Sequence, residues 1–399
     1  MTSIGVDLVK IKRIKNLYYK FGQKFLDKCF TEDEIAYIKK KNYKDETIAG
    51  MFSFKESIGK CLGTGFGKDL KFKDIEICHD KNGAPYALAK GREFYISSSH
   101  DGDYVVTVGS EKPGRAKGHL DIPEDLFKLY KQRPDKSHKG SFGRTMIIGS
   151  SKSMLGAGYL SALASLKAGC GYTYHYVFEE DDILLPLSIK HTEVILRQGN
   201  ILKDAKKMEG ILFGPGLGLS RNKREVLKEL LLGDNKLVLD ADGINILAEN
   251  VDQLYVKNSQ LILTPHILEF SRLIKEVIPP GPRLYERAKE FAKEYKLVLV
   301  LKDSVTFITD GESSHFIERE NSGLATAGSG DVLAGIITSF LAQGYGIYEA
   351  ALLGAEVHSL AGLVAAEEKS KTSMLAGDII NGLDRVFKNL EERWFYDNK

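Results

Sequence analysis

Cysteine is scarce in this chain, and its few cysteines are not spaced to bind metal or to form a disulfide framework. The 399 residues include four cysteines, none in a C-x-x-C pair: Cys29, Cys61, Cys78 and Cys170. Structural zinc sites and small disulfide-stapled domains both depend on closely spaced cysteines. We therefore expect neither a zinc site nor a disulfide, and four buried, reduced thiols.

Long apolar runs and targeting segments are also lacking. No apolar run reaches the ~20 residues that a membrane-spanning helix needs. The N-terminus has no charged segment followed by an apolar stretch and a cleavage site. A hydrophobic content of 43% with 28% charged residues is typical of a globular protein. We expect a cytoplasmic protein that does not bind a membrane.

Neither sign of charge dominates the whole chain, whose formal net charge is +2, but the basic residues are concentrated early. Residues 1–118 contain 22 Lys and Arg against 16 Asp and Glu. A basic surface suits an acidic partner, although a solvated helix face would have the same composition. No aromatic-rich basic motif accompanies these lysines, so we expect no nucleic-acid partner.

The length of the chain favours two domains, because a single core rarely serves this many residues. The stretch E-K-P-G-R-A-K-G, residues 111–118, combines proline, glycine and basic residues and is typical of a linker. We predict a first domain at residues 1–112, a linker at 113–119 and a second domain at 120–399. No internal repeat relates the two halves.

The first domain combines acidic and basic residues at suggestive positions. Asp7 interrupts an apolar strand, where a carboxylate is costly unless it is paired or binds metal. A helical stretch is predicted from residue 11 to about 30, and a longer helix at about 47–62 carries Glu56 and Lys60 four residues apart. These two side chains could form a surface ion pair, or a metal-binding carboxylate beside a phosphate-binding amine. Gly63-Thr64-Gly65 then follows as a loop that phosphate could approach.

Five motifs in this order resemble holo-[acyl carrier protein] synthase: G-V-D-L-V, F-T-E-D-E, F-K-E-S-I-G-K-C-L-G-T-G, D-K-N-G-A-P and S-S-S-H-D. The resemblance covers residues 1–110 and implies an α+β phosphopantetheinyl-transferase domain. Members of that family use Mg²⁺ to transfer 4'-phosphopantetheine from coenzyme A to a serine of acyl carrier protein. They form trimers with active sites between subunits, so a homo-oligomer is expected.

The resemblance also implies roles for individual residues of the first domain. Asp7 and Glu56 would be catalytic and hold the Mg²⁺, while Arg13 and the basic first helix would dock the carrier protein. Coenzyme A would be held by a further set of residues, Lys60, Gly63, Thr64, Gly65, Ser99 and His100. Met51 stands where the family usually has arginine, which changes a contact to coenzyme A or to a neighbouring subunit.

The second domain alternates strand-like and helix-like segments, which predicts a largely parallel sheet covered by helices. Five apolar runs end in glycine or polar residues: Gly149, Gly214 to Gly218, Asp240 to Asp242, Thr264 to His266, and Lys302. Ligands in open α/β sheets bind beyond the carboxyl ends of the strands, so these loops are expected to converge.

A glycine-rich loop leads into an apolar helix at Ala325 to Asp331, A-T-A-G-S-G-D. Glycines allow a ligand to approach the backbone, and the free N–H groups of a helix's first turn bind anions such as phosphate. Asp331 would stay ionised at the helix start and accept a proton from a substrate hydroxyl. Alternatively, Asp331 is only a helix cap.

Seven motifs of this domain resemble the ADP- or ATP-dependent NAD(P)H-hydrate dehydratases of the ribokinase-like superfamily: H-K-G-S-F-G-R, G-S-S-x-x-M-L-G-A, G-P-G-L-G, L-D-A-D-G-I-N, T-P-H-x-x-E-F, L-K-D-x-x-T and A-T-A-G-S-G-D-V-L-A-G-I. The resemblance covers residues 135–385 and implies an α/β three-layer sandwich. That family phosphorylates the added hydroxyl of the S epimer of NAD(P)H hydrate and eliminates phosphate, which restores NAD(P)H.

Carried over by motif position, Asp331 would be the catalytic base. The hydrate would be bound by Ala157, Gly216, Gly218, Asp242, Asn245 and His266. ADP or ATP would be held by Lys302, Asp303, Ser304, Val305 and Thr306, with the amides of Gly328, Ser329 and Gly330 around the transferred phosphoryl group.

Three departures from the dehydratase pattern occur, at Ser150, at Ile267-Leu268 and at Asp303, which stands where the family has glycine. The added charge of Asp303 could alter the choice between ADP and ATP. A G-x-G-D loop also serves kinases of small hydroxylated metabolites in the same superfamily, so that alternative stays open. A further alternative is a first domain that only oligomerises.

Overall fold

The structure, a computed structural model, describes residues 4–63, 65–67, 70–79, 83–111, 120–255 and 260–397. The chain forms two compact units, Met1–His119 and Leu120–Lys399. The predicted linker, 113–119, lies outside the described residues, so the linker and the domain boundaries around it stay predictions.

The described residues of the first unit form one antiparallel sheet and four helices. In chain order its elements are β1 (Ile4–Lys10), α1 (Ile11–Phe21), α2 (Gln23–Cys29), α3 (Glu32–Lys40), α4 (Asp45–Cys61), β2 (Ile75–His79), β3 (Pro85–Ala89), β4 (Arg92–Asp101) and β5 (Tyr104–Glu111). The strands lie in the order β1-β5-β4-β3-β2. The helical stretch predicted for residues 11–30 is broken at Gly22, whose φ of +54° ends α1 and turns the chain into α2.

Helix α4 is the core element of the first unit. It packs on the face of β1 and β5 that carries Gly5, Asp7 and Val9, and a Cβ atom on Gly5 would lie 1.9 Å from the carbonyl oxygen of Ser57. Glycine at this position therefore lets strand and helix come into contact. The other face of β1 is exposed and apolar.

A buried ion pair ties α3, α4 and β2 together. Nζ of Lys55 donates to Glu34 at 2.6 Å and to the carbonyl of Ile75 at 2.7 Å, and both charged side chains are almost fully buried. The second carboxylate oxygen of Glu34 accepts from the backbone N–H of Ile77 at 2.8 Å. This buried pair, which the sequence analysis did not predict, joins three elements of the first unit.

The second unit is built on a nine-stranded sheet with eleven helices among its described residues. Its strands are β6 (Arg144–Ile148), β7 (Tyr172–Tyr176), β8 (Ile195–Arg197), β9 (Gly210–Phe213), β10 (Leu237–Leu239), β11 (Leu261–Leu263), β12 (Val298–Leu301), β13 (Thr306–Thr309) and β14 (Ser314–Ile317). Its helices are α5 (Glu124–Leu129), α6 (Leu155–Lys167), α7 (Leu184–Lys190), α8 (Ile201–Ala205), α9 (Arg221–Leu232), α10 (Asp242–Glu249), α11 (Ile267–Ile274), α12 (Pro282–Tyr295), α13 (Ser329–Ala342), α14 (Ile347–Glu368) and α15 (Ala376–Asp397).

The sheet order is β14-β13-β12-β11-β10-β9-β6-β7-β8, parallel from β12 to β8 and antiparallel at β13 and β14. Alternate residues enter two separate cores. Val238 of β10 packs with α13 and α14, whereas Leu237 and Leu239 pack with the helices of the opposite face. Helices thus cover both faces, and the expected α+β and three-layer α/β architectures are confirmed.

Helix α14 is the one helix of the described residues that is long and apolar enough to cross a membrane. Within the unit, 78% of its apolar window is buried. It also carries the buried charged and polar groups Glu356 and His358. These features are those of a core helix.

Candidate functional site

The five predicted loops lie side by side, because the strands that they follow are neighbours in the order β12-β11-β10-β9-β6. The chain crosses from one half of the sheet to the other between β9 and β6, which is where α/β sheets open a ligand crevice. There the N–H of Ser150 donates to the carbonyl of Pro215 at 2.8 Å. The H-K-G-S-F-G-R motif lies instead at the amino end of β6.

Helix α13 brings its N-terminus to this crevice. It packs so tightly on α6 that a Cβ atom on Gly335 would lie 2.2 Å from the carbonyl oxygen of Ser161. The hydroxyl of Ser161 donates to the carbonyl of Asp331 at 2.9 Å. Gly328 precedes the helix with a φ of +91°, a conformation that favours glycine. The first N–H groups of α13 are therefore fixed in place as an anion site.

Three charged or anion-binding groups meet at the start of α13. Oδ2 of Asp331 lies 4.0 Å from the position of a Cβ atom on Gly328, and Nζ of Lys302 lies 3.3 Å from that of Gly330. Burial, followed by the negative charge of Asp240, raises the pKa of Asp331 to about 7, although Lys302 opposes the shift. A carboxyl group with this pKa can take up and release a proton near neutral pH.

Lys302 is held by a second aspartate. Its Nζ donates to Oδ1 of Asp240 at 2.7 Å, and the hydroxyl of Thr264 donates to the same oxygen at 2.8 Å. Burial disfavours the charged amine, but the charges of Asp240, Glu269 and Asp331 and the hydrogen bond to Asp240 together outweigh it, so the pKa of Lys302 is raised. Lys302 therefore remains a cation beside the anion site.

The next strand end places His266 beside Lys302. The two residues form an isolated parallel bridge, and His266 caps α11 by accepting from the N–H of Glu269 at 3.2 Å. The side chain of His266 is about half exposed, at 47%. The following loop carries Asp303 and Ser304 on the surface and Val305 and Thr306 partly buried.

The residues expected to bind the hydrate form two groups. Gly216 lies against Ala157, since a Cβ atom on Gly216 would lie 2.7 Å from the Cβ of Ala157. The N–H of Gly218 donates to Oδ2 of Asp242 at 2.7 Å, and Asn245 donates to Oδ1 of Asp242 at 3.3 Å. These predicted residues lie at the same sheet edge, on the loop after β9 and in the first turns of α6 and α10. Their roles in binding stay predictions.

Several residues of this crevice were missed by pattern reading. Asp240 lies in the L-D-A-D-G-I-N motif, but only the strand order shows that its carboxylate meets Lys302. His358 of α14 is buried 3.2 Å from the hydroxyl of Ser329, and burial lowers the pKa of His358 to about 4. His358 is therefore neutral and contacts Ser329 at the start of α13. It lies on α14, a helix in which the sequence analysis recognised no motif.

A cavity of about 740 Å³ lies at the opposite edge of the sheet. Its lining includes Glu209, Lys236 and Gln260, which precede strands β9, β10 and β11. None of the predicted site residues lines it, and we do not place the site there.

The first unit brings together two carboxylates and a cation. Asp7 is buried, accepts from the hydroxyl of Ser53 at 2.7 Å and pairs with Nζ of Lys60 at 2.8 Å. Burial and then the negative charge of Asp7 raise the pKa of Glu56, while Lys60 and Arg13 oppose this rise. Lys60 thus pairs with Asp7 rather than forming the helix-surface pair with Glu56.

Two carboxylates suit a Mg²⁺ that also binds substrate phosphates. Among the described residues no group of three or more His, Cys, Asp or Glu side chains could hold a metal alone. The role of Asp7 and Glu56 in binding Mg²⁺ stays a prediction.

The remaining coenzyme A predictions are spread over the first unit. Gly63 and Gly65 are exposed and left-handed, whereas Thr64 lies outside the described residues. Ser99 is paired across the sheet with Val106, which is opposite Leu8, on the face away from Asp7. No contact between described residues joins Ser99 or His100 to Asp7.

Comparison with known proteins identifies both units. The family model described as NAD(P)H-hydrate dehydratase matches residues 145–385, and that of the 4'-phosphopantetheinyl transferase superfamily matches residues 3–109. The fusion of the two families inferred from the motifs is therefore confirmed.

Two relatives each match about two thirds of the chain. The chain is 36% identical over 279 residues to the bifunctional NAD(P)H-hydrate repair enzyme of Moorella thermoacetica, a match that covers 65% of this chain and 52% of that protein. It is 34% identical over 258 residues to the ADP-dependent (S)-NAD(P)H-hydrate dehydratase of Neisseria meningitidis, covering 63% of this chain and 87% of that one. The chain thus spans about half the length of the first of these relatives and most of the second.

A solved structure shows the same fold. The ADP/ATP-dependent NAD(P)H-hydrate dehydratase of Bacillus subtilis, co-crystallised with ATP and Mg²⁺, is 27% identical with a TM-score of 0.60. The likeness covers 68% of this chain and 99% of that one.

Proposed function

Because the chain belongs to the NAD(P)H-hydrate dehydratase family, we propose that its second unit uses ADP or ATP to convert the S epimer of NAD(P)H hydrate to NAD(P)H. The observation that carries this proposal is the carboxyl group of Asp331, with a pKa of about 7, at the start of α13. This carboxyl group lies near Gly328, and the ammonium of Lys302 lies near Gly330.

The reaction follows from these positions. Asp331 accepts the proton of the hydrate's hydroxyl group while the oxygen of that group bonds to the terminal phosphorus of the nucleotide. The bond from that phosphorus to the rest of the nucleotide breaks, which releases AMP from ADP or ADP from ATP. The N–H groups of α13 and the charge of Lys302 stabilise the phosphoryl group in transfer. The C–O bond between the nicotinamide ring and the phosphate then breaks, and phosphate leaves with the electron pair of that bond. A proton is lost from the ring, which forms the ring double bond of NAD(P)H.

The test is nucleotide-dependent recovery of NAD(P)H absorbance from the hydrate. Purified protein with Mg²⁺ should restore the absorbance with ADP, with ATP or with both. Phosphorylation of a small hydroxylated metabolite, without recovery of NAD(P)H, would support the kinase alternative instead.

Replacing Asp303 by Gly should change the ratio of the rates with ADP and ATP if the charge of Asp303 affects the choice of nucleotide.

The first unit is proposed to transfer 4'-phosphopantetheine from coenzyme A to acyl carrier protein, with Mg²⁺ held by Asp7 and Glu56. The match of residues 3–109 to the transferase superfamily supports this, together with the paired carboxylates beside Lys60. The ion would supply positive charge to the pyrophosphate of coenzyme A. The acidic carrier protein would dock on the lysine-rich helix α1 and on Arg13.

Glu56→Gln is expected to lower carrier-protein modification by about 10²-fold or more, because the substitution removes one of two metal-binding charges. Structural damage should be small, since the Glu56 side chain makes no hydrogen bond or ion pair with another described residue. Transfer should be measured by the mass of the carrier protein over a range of Mg²⁺ concentrations. Unchanged modification would favour a first unit that only oligomerises.

The exposed face of the first unit's sheet supports a homo-oligomer. It carries large apolar side chains at 38–65% exposure: Ile4, Val6, Leu8, Tyr95, Tyr104, Val106 and Val108. Apolar patches of this kind mark interfaces. Ser99 lies on the same face.

Val106→Lys should dissociate this oligomer, because a charge at the centre of the apolar face is costly to bury. Sedimentation of the variant and wild type gives the subunit number. Val277→Lys, at an exposed position of the second unit, is the control and should leave it unchanged. An unaltered oligomer in Val106→Lys would show that this face is not the interface.

The location is proposed to be the cytoplasm. All four cysteines are thiols, of which Cys29, Cys61 and Cys170 are buried. A reducing compartment suits this state.

A further inference from the structure

Three hydrogen-bonded side chains connect helix α11 to the loop after β9, Gly214 to Gly218, which is predicted to bind the hydrate. The guanidinium of Arg272 donates from NH1 to Oδ1 of Asn245 at 2.9 Å, and Asn245 donates to Asp242 at 3.3 Å. Asp242 in turn accepts from the N–H of Gly218 at 2.7 Å. Arg272 thus reaches, through two hydrogen-bonded side chains, a loop that contains two predicted substrate residues.

The guanidinium of Arg272 lies at the crevice although its Cα does not. Helix α11 starts at the crevice and runs away from it, and Arg272 is in its second turn. Side chains on helices lean toward the N-terminus, and arginine is long. Its contact with Asn245, at the start of α10, places the charged group back at the carboxyl edge of β10.

The charge at this edge is negative. Five carboxylates lie on or beside its loops: Asp240, Asp242, Glu269, Asp303 and Asp331. Lys302 is paired with Asp240, and Lys223 is buried against Asp181 at 3.0 Å. A dinucleotide with at least two phosphate charges would be repelled unless another cation faces it.

Arg272 is a cation at this edge, and its hydrogen bond to Asn245 already orients it. A guanidinium has five N–H donors, and among the described residues only Asn245 takes one from Arg272. The side chain is exposed, so the other donors can reach a ligand. Lys152, on the turn after β6, is also exposed, but no contact within the described residues orients it.

We propose that Arg272 binds a phosphate group of the dinucleotide substrate, with Asn245 and Asp242 holding it beside Gly218. The inference rests on the proposed function of the second unit and assigns that site a phosphate contact. A planar guanidinium can bind two phosphate oxygens at once, which an ammonium cannot.

The test compares Arg272→Ala and Arg272→Lys with wild type on NADH hydrate and NADPH hydrate. Arg272→Ala should raise KM about 10- to 100-fold, as expected for a charged hydrogen bond, with kcat nearly unchanged. Arg272→Lys should recover part of this loss. A rise for both hydrates identifies the pyrophosphate, and a rise for NADPH hydrate alone identifies the 2'-phosphate.

Two exposed cations serve as matched controls. Arg283→Ala removes an exposed arginine that pairs with Glu276, and it should change neither KM. Lys152→Ala should also have little effect. Unchanged KM values in Arg272→Ala, or a rise in Lys152→Ala alone, would overturn the proposal. A lower thermal stability of Arg272→Ala with an unaltered KM would also overturn the proposal, because it would mean that Arg272 only connects helix α11 to helix α10.

Direct binding separates this inference from the proposed reaction. NADPH, the product, can be titrated by its fluorescence without any turnover. Wild type that fails to repair the hydrate but binds NADPH about tenfold or more tightly than Arg272→Ala would overturn the reaction and keep the phosphate site. Wild type that repairs the hydrate with the same KM as Arg272→Ala would keep the reaction and overturn the phosphate site. Wild type that binds no NADPH would overturn both the reaction and the phosphate site.

Discussion

Asp331→Asn is expected to lower the nucleotide-dependent recovery of NAD(P)H by about 10²- to 10⁴-fold, the usual contribution of a general base. The amide has the same shape but cannot accept the proton of the hydrate's hydroxyl group. Substrate binding should persist, so KM should change little. The measurement is initial rates of absorbance recovery for wild type and variant under identical nucleotide concentrations.

The pH dependence gives an independent check of the same residue. The base must be ionised, and the pKa of Asp331 is raised to about 7, so activity should rise as pH increases through about 7. The folded protein holds this proton more tightly than the unfolded chain, whose value is near 3.8, so stability falls as pH rises from about 4 to 7. Asp331→Asn should therefore be more stable than wild type at pH 8, by about 2 kcal/mol after allowance for partial exposure.

Asp378 is a matched control for Asp331, because it also lies in the first turn of a helix. Its carboxylate only caps α15, by accepting from the N–H of Leu375 at 2.9 Å. Asp378→Asn should leave the rate unchanged. Full activity in Asp331→Asn would contradict its role as base and leave it as a helix residue.

Glu34→Ala is expected to destabilise the first unit by about 3–5 kcal/mol, because it leaves the ammonium of Lys55 buried without its partner. Lys55 would keep only its bonds to the carbonyls of Phe72 and Ile75. Burial lowers the pKa of Lys55, so the unfolded chain binds more protons and the variant should regain stability as pH rises. Chemical denaturation, with hydrogen exchange in α4 to assign the transition to this unit, measures the loss.

A double variant separates the effect of the buried charges of Glu34 and Lys55 from the effect of their side-chain packing. Glu34→Leu combined with Lys55→Met removes both charges and should cost much less than Glu34→Ala alone. Glu32→Ala, an exposed position in the same helix turn, should change stability by less than about 0.5 kcal/mol. Equal losses in Glu32→Ala and Glu34→Ala would show that the buried pair is unimportant.

Features set by a few neighbouring residues could be predicted from the sequence alone. Apolar runs followed by glycine or polar residues placed strands β6 and β9 to β12 within one or two residues. The G-S-G-D stretch predicted the N-terminus of α13 with Asp331 in its first turn. Gly22 shows the limit, since a single glycine divided one predicted helix into α1 and α2. Ordered motifs along the chain then indicated both families.

What only the tertiary structure decided depends on groups far apart in the sequence. The sheet order brought five strand ends together, and it placed Asp240 against Lys302, 62 residues away. Packing turned Lys55 inward to Glu34, 21 residues away, and paired Lys60 with Asp7, 53 residues away. Arg272 is a further example, because its hydrogen bond to Asn245 places its guanidinium at the crevice. The sequence determined which local segments and chemical groups exist, whereas long-range packing determined which groups meet, because pairing and burial arise only between segments that the fold brings together.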